Sequence, residues 1–140
     1  RTVKYLVAFE GRNHVVRVDL LQSPEGYHVF EVRLDTYDTV DVAITDPQGD
    51  TIEAVSGMDL TYEVTFDAEA ANRQGAWIEI AFDGKPAGMV AGTTLESPMR
   101  REIPGRALTS GSHILAVRIH PVGQATGYPL GEAMLTVEVP

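Results

Sequence analysis

Apolar and polar residues alternate with period two along nearly the whole chain. Val3, Tyr5, Val7 and Phe9 are separated by Lys4, Leu6 and Ala8, and Val16, Val18 and Leu20 by Arg17 and Asp19. The same beat returns in Phe30, Val32 and Leu34, in Val40, Val42 and Ile44, and in Leu60, Tyr62, Val64 and Phe66. It returns again in Ile78, Ile80 and Phe82, in Leu115, Val117 and Ile119, and in Leu135, Val137 and Val139. A strand sends successive side chains to opposite faces, so each run has one core face and one wetter face. Such alternation belongs to antiparallel rather than buried parallel sheets.

Turn chemistry separates the runs. Residues 10–13 read as a hairpin loop and residues 23–26 as a turn. Residues 46–50 (DPQGD) place Pro where φ near −65° is wanted and Gly where positive φ is cheap. Asp83-Gly84 between Phe82 and Lys85 is a two-residue hairpin signal. Short strands at this spacing predict an all-β sandwich or barrel. Only residues 67–74 read as helix, with Asp67 able to cap and Gly75 as a stop. That segment shows no apolar face and is expected to be a surface decoration. Residues 122–131 read as an irregular loop.

The 140 residues suffice for a core without staples, and cysteine is absent, so disulfides, thiol nucleophiles and thiolate metal sites are excluded. No apolar run approaches the ~18 residues of a membrane helix. The net charge of −9, with basic residues scattered, argues against nucleic acid and anionic membrane as partners. The first residue is Arg1 rather than Met, with no secretory leader in front of the first strand, which fits a processed chain or an internal start.

From residue 44 onward the order of motifs resembles the bacterial immunoglobulin-like modules of surface and secreted proteins. Residues 44–52 (ITDPQGDTI) are similar to the opening of such modules, and residues 60–66 to their second strand. Residues 78–86 (IEIAFDGKP) look like the third strand and its hairpin, and residues 108–117 (LTSGSHILAV) like the loop and strand that follow. The last strand would be residues 132–139. The stretch 98–103, with Arg100, Arg101 and Glu102, makes a poor match to the family's fifth strand. Residues 1–39 fall outside the resemblance. The expected architecture is therefore an all-β, antiparallel immunoglobulin-like β-sandwich over residues 40–140 with extra N-terminal strands in residues 1–39. The strand beginning at Val40 could close the first group or open the second.

Catalytic constellations do not assemble by spacing. His14, His28, His113 and His120 show no i, i+4 pair, and no serine lies in a Gly-x-Ser-x-Gly elbow. His113 is expected at the start of its strand, where its ring can bond backbone at a corner, as Tyr does in immunoglobulin sandwiches. No cofactor is expected, with calcium as the one metal to consider. Asp35 and Asp38 flank Tyr37, and Asp46 and Asp50 flank a turn, where carboxylates and carbonyls can hold a hard cation. Trp77, the single Trp, shares a face with Glu79 and Ala81, and with Tyr37 and Tyr128 on loops it is a candidate ligand or partner surface. The strand containing Val3, Tyr5, Val7 and Phe9 is a candidate assembly strand, either adding to a neighbour's sheet edge or pairing with its own next strand.

The resemblance implies a non-catalytic structural, assembly or adhesion module, extracellular, at the cell surface or periplasmic. Its partners would be proteins or like subunits. The alternative is a carbohydrate-binding module using exposed aromatics or a calcium-tied loop.

Overall fold

The computed structural model describes residues 2–9, 12–22, 28–123 and 129–140, with side chains from residue 37 onward. The chain divides into two compact units, Arg1–Thr39 and Val40–Pro140.

The first unit is a meander of β1 (Thr2–Phe9), β2 (Arg12–Gln22) and β3 (His28–Asp38), in the order β1-β2-β3. Phe9 stands opposite Arg12, so residues 12 and 13 of the expected hairpin loop belong to β2, while residues 10 and 11 lie outside the described residues. The register carries the alternation across all three strands. Val3, Val18 and Val32 form one row and Tyr5, Val16 and Leu34 the next, while Lys4, Arg17 and Arg33 share a row on the other face. β1 therefore takes its partner from its own chain, the simpler of the two arrangements open to it, and stands at one end of the sheet order. The expected turn at residues 23–26 lies outside the described residues.

The second unit opens at Val40, whose N–H donates to Leu130 O at 3.0 Å. β4 (Val42–Asp46) pairs with β6 (Leu60–Phe66), which pairs with β9 (Met99–Ile103). The other sheet runs β5 (Thr51–Glu53), β11 (Gly131–Val139), β10 (Gly111–His120), β7 (Trp77–Phe82), β8 (Lys85–Val90). The Pro-Gly segment between β4 and β5 carries the chain from one sheet to the other, where β5 runs parallel to β11. Every other pairing among the described residues of the unit is antiparallel. Two sheets with β4-β6-β9 on one side and β11-β10-β7 on the other reproduce an immunoglobulin-like strand order.

The inward beat fills the core. Leu115, Val117 and Ile119 stand opposite Phe82, Ile80 and Ile78, as the alternation requires. Val64, Ile78, Leu115, Val117, Ile119, Leu135 and Val137 are fully buried. Each contributes roughly 1.5–3 kcal/mol by leaving water.

Two expectations need correction. The stretch around Arg100 and Arg101 does form a strand, β9: Met99 and Ile103 face inward, and Arg101, on that same face opposite Tyr62, stays exposed because β9 is the edge strand of its sheet. The helix α1 (Ala68–Arg73) is no mere decoration, since Ala70 and Ala71 are buried. Two alanines make an apolar stripe too narrow to register as periodicity, yet narrow enough to seat against a sandwich rim. Asp67 caps it by accepting from Ala70 N–H at 3.1 Å. Asn72 then pins the β8–β9 connection, accepting from Leu95 N–H at 2.8 Å and donating to Leu95 O at 2.9 Å.

Candidate functional surfaces

The β7–β8 hairpin turns on Asp83 (φ 53°) and Gly84 (φ 76°), the left-handed pair of a type I′ turn. Asp83 Oδ1 accepts from Ile114 N–H at 2.9 Å, tying the turn to β10. Its Oδ2 lies 2.6 Å from His113 Nδ1, and His113 Nε2 lies 2.6 Å from Thr109 O. Both ring nitrogens thus face acceptors, a geometry that only the doubly protonated ring satisfies. The hydrogen bond His113 donates to Asp83, then that to Thr109 O, raise the His113 pKa against the opposing effect of burial. For Asp83 burial acts upward, but the hydrogen bonds from His113 and Ile114 outweigh it and its pKa falls. Phe82 stacks on the ring at 5.3 Å. The corner role expected of His113 is realised, with a carboxylate added that the sequence did not reveal.

On the outer face of the five-stranded sheet, Trp77 stands opposite His120 and Glu79 opposite Arg118, which stands opposite Glu132. Arg118 joins the two carboxylates, donating through Nη1 to Glu79 and Nε to Glu132. Burial pushes Glu79 up, but hydrogen bonds from His120 and Arg118 hold it below its ordinary value. Trp77 stacks on His120 with centroids 4.6 Å apart and is half-buried, not an open platform. His120 is buried, and its Nδ1 has no partner among the described residues.

One row further along, Ala81, Ala116 and Met134 stand side by side, followed by Ile114. Ile114 and Met134 are 45% and 50% exposed on this face. Met89, also exposed, stands on β8 opposite Glu79, at the end of the charged row rather than of this one. The signal was legible: Ile114 and Met134 occupy off-beat positions that a wet face would fill with polar residues.

On one side of the sandwich, β8 and β9 are both terminal strands of their sheets. Between them lie two cavities of about 410 and about 420 Å³. The first reaches core residues Tyr62, Ile80, Phe82 and Leu115. Sequence reasoning missed this cleft because each of its walls reads as an ordinary strand.

The remaining sequence candidates are dispersed. Tyr37 lies on β3 rather than on the expected loop, opposite Asn13, because the polar residues around it are the wet positions of a strand. Tyr128 lies outside the described residues. Asp35 and Asp38 sit three apart on β3, so the pleat puts them on opposite faces. Asp46 pairs with Arg100 at 3.6 Å, and Asp50 contributes its carbonyl to Thr136 N–H. Among the described residues no group of three or more His, Asp or Glu side chains is placed to hold a metal ion. Val3, Tyr5, Val7 and Phe9 share one face of β1.

The fold defines a sandwich module of immunoglobulin-like topology. No family model matches the sequence, and no curated protein matches it. Among solved structures, titin Ig tandem domains are similar at 13% identity and a TM-score of 0.43. The match covers 93% of this chain and 62% of the titin chain, so the chain spans under two-thirds of that structure's length.

Proposed function

We propose that this chain is a non-catalytic module that works through protein contact, as an assembly or adhesion unit at the cell surface, outside the cell or in the periplasm. The observation that carries this reading is the character of its exposed apolar surface. The large exposed hydrophobics among the described residues are Val55, Met58, Met89, Ile114, Val122 and Met134, and none is aromatic. Sugar rings are bound by stacking on aromatic faces, whereas aliphatic and Met side chains serve protein surfaces. Trp77, the residue best suited to a sugar platform, is spent on His120. The titratable groups tell the same way: His113 and Arg118 are each held by two partners inside the fold.

Assembly with like subunits would use the outer face around Ile114 and Met134, the outer edge of β1, or both. Sedimentation of the full chain tests it. Ile114→Glu with Met134→Glu, or deletion of residues 1–9, is expected to lower the mass of any assembly while the fold persists. A chain that is monomeric at all concentrations and binds no protein through these surfaces would refute the reading.

A further inference from the structure

Six basic residues lie in the second unit: Arg73, Lys85, Arg100, Arg101, Arg106 and Arg118. Arg73, Arg100 and Arg118 are paired with carboxylates. The other three, Lys85, Arg101 and Arg106, make no ion pair among the described residues, and all three line the cavities between β8 and β9. Each is exposed. In a chain of net charge −9, the cations of the module without an ion pair have gathered at one cleft, with Lys85 also acting at longer range on the Asp83 carboxylate. Glu96 and Glu102 also line it, so the cleft carries both signs with cations in excess.

Backbone chemistry adds a second requirement. Among the described residues β8 and β9 each pair on one side only, with β7 and with β6, and the ladder on the other side is unfilled. An extended segment laid along such an edge gains main-chain hydrogen bonds and sends alternate side chains inward. Here the inward side chains would meet Ile80, Phe82 and Leu115 through an opening already about 410 Å³ in volume. Arg101 stands opposite buried Tyr62 and Lys85 opposite Phe82, so both cations, with Arg106, are exposed at the mouths of the cavities, where acidic side chains of the segment would meet them.

We propose that the cleft between β8 and β9 binds an extended, acidic–apolar segment of a partner protein. A second copy pairing through the same edge is disfavoured, because two-fold pairing would set Lys85, Arg101 and Arg106 against their own counterparts. The charges that protect the edge from its own kind select a partner of opposite sign. The inference rests on the protein-contact reading and gives it a surface and a partner chemistry.

The test uses the full chain and a fluorescein-labelled ten-residue peptide in which Val and Glu alternate, followed by anisotropy. Saturable binding is expected, with amide shifts confined to Lys85–Val90 or Met99–Ile103 and their contacts. Arg101→Gln with Arg106→Gln is expected to weaken binding at least tenfold, and a Val–Lys peptide to bind at least tenfold more weakly. Raising salt from 50 to 300 mM is expected to weaken it severalfold, as screening requires. If the double variant loses its Trp77 emission spectrum, Lys85→Gln replaces it and should weaken binding threefold or more. No saturable binding up to millimolar peptide, binding untouched by the variants, or self-association through this edge would overturn the proposal. Those results leave the outer-face test of Ile114 and Met134 standing, so the two readings fail separately.

Discussion

Asp83→Ala removes three things from one corner. It removes the carboxylate from a buried imidazolium at 2.6 Å, the acceptor of Ile114 N–H at 2.9 Å, and a residue type that tolerates φ of 53°. The charged bond is worth about 1 kcal/mol, at the low end of its range because the Asp83 carboxylate is half-exposed and screened. The amide bond adds about 0.5–1 kcal/mol. Placing Ala in the left-handed region costs about 1 kcal/mol more. The expected loss is about 3 kcal/mol. Asp83→Asn keeps the turn and the Ile114 bond, and its side-chain N–H₂ can donate to the neutral ring, so its loss is expected to be about 1 kcal/mol. The two variants also differ from the wild type in pH dependence. The His113 pKa is raised in the fold, so its contribution is complete below about pH 6.5 and declines as pH rises through the folded value. The Asp83 pKa is lowered, so its contribution is complete above about pH 3.9 and is lost as pH falls. Subtracting the Asp83→Asn curve from the wild-type curve isolates this pair from the other histidines. Urea unfolding read by Trp77 reports on the module that holds the corner, because it is the only Trp. A wild-type minus Asp83→Asn difference that stays flat from pH 6 to 9, or an Asp83→Ala variant as stable as the wild type, would refute the reasoning.

Gly131→Ala should destabilise the module by about 2 kcal/mol or more, since a Cβ there would lie 2.0 Å from Val40 O and force the backbone apart; the same urea assay reads it. Tyr62, its pKa raised by burial to about 12, should ionise in an absorbance titration well above the ordinary tyrosine range, and stability should fall above about pH 10 as unfolded Tyr62 deprotonates first. The fragment Val40–Pro140 should unfold cooperatively by itself, as a compact unit with its own core; a broad, non-cooperative melt would show that the first three strands belong to the same core. Millimolar calcium should leave the melting temperature of the full chain unchanged, since Asp46 is committed to Arg100; a rise of several degrees would establish a calcium site.

The beat of apolar residues made the sandwich legible, down to Leu115, Val117 and Ile119 facing Phe82, Ile80 and Ile78. The Asp83-Gly84 hairpin was legible because positive φ leaves a compositional mark. The burial of Ala70 and Ala71 was not, since alanine is equally at home on a wet helix face. The partnership of Asp83 with His113 was hidden for a different reason: the residues lie thirty positions apart, and nothing local to either announces the other. The cleft between β8 and β9 is a property of where two sheets end, which period-two alternation does not encode.

The passage of the chain from β4 in one sheet to β5 in the other has a mechanical consequence. Val40 is tied beside the first residue of β11, and Pro140 follows its last, nine residues and about 30 Å away. Tension applied between those two points draws β4 and β5 backward along their own axes while it draws β11 forward. The β5–β11 ladder lies parallel to that pull, so its hydrogen bonds share the load together rather than opening one after another like a zipper. A module wired in this way resists being stretched along its length far better than being peeled from one edge.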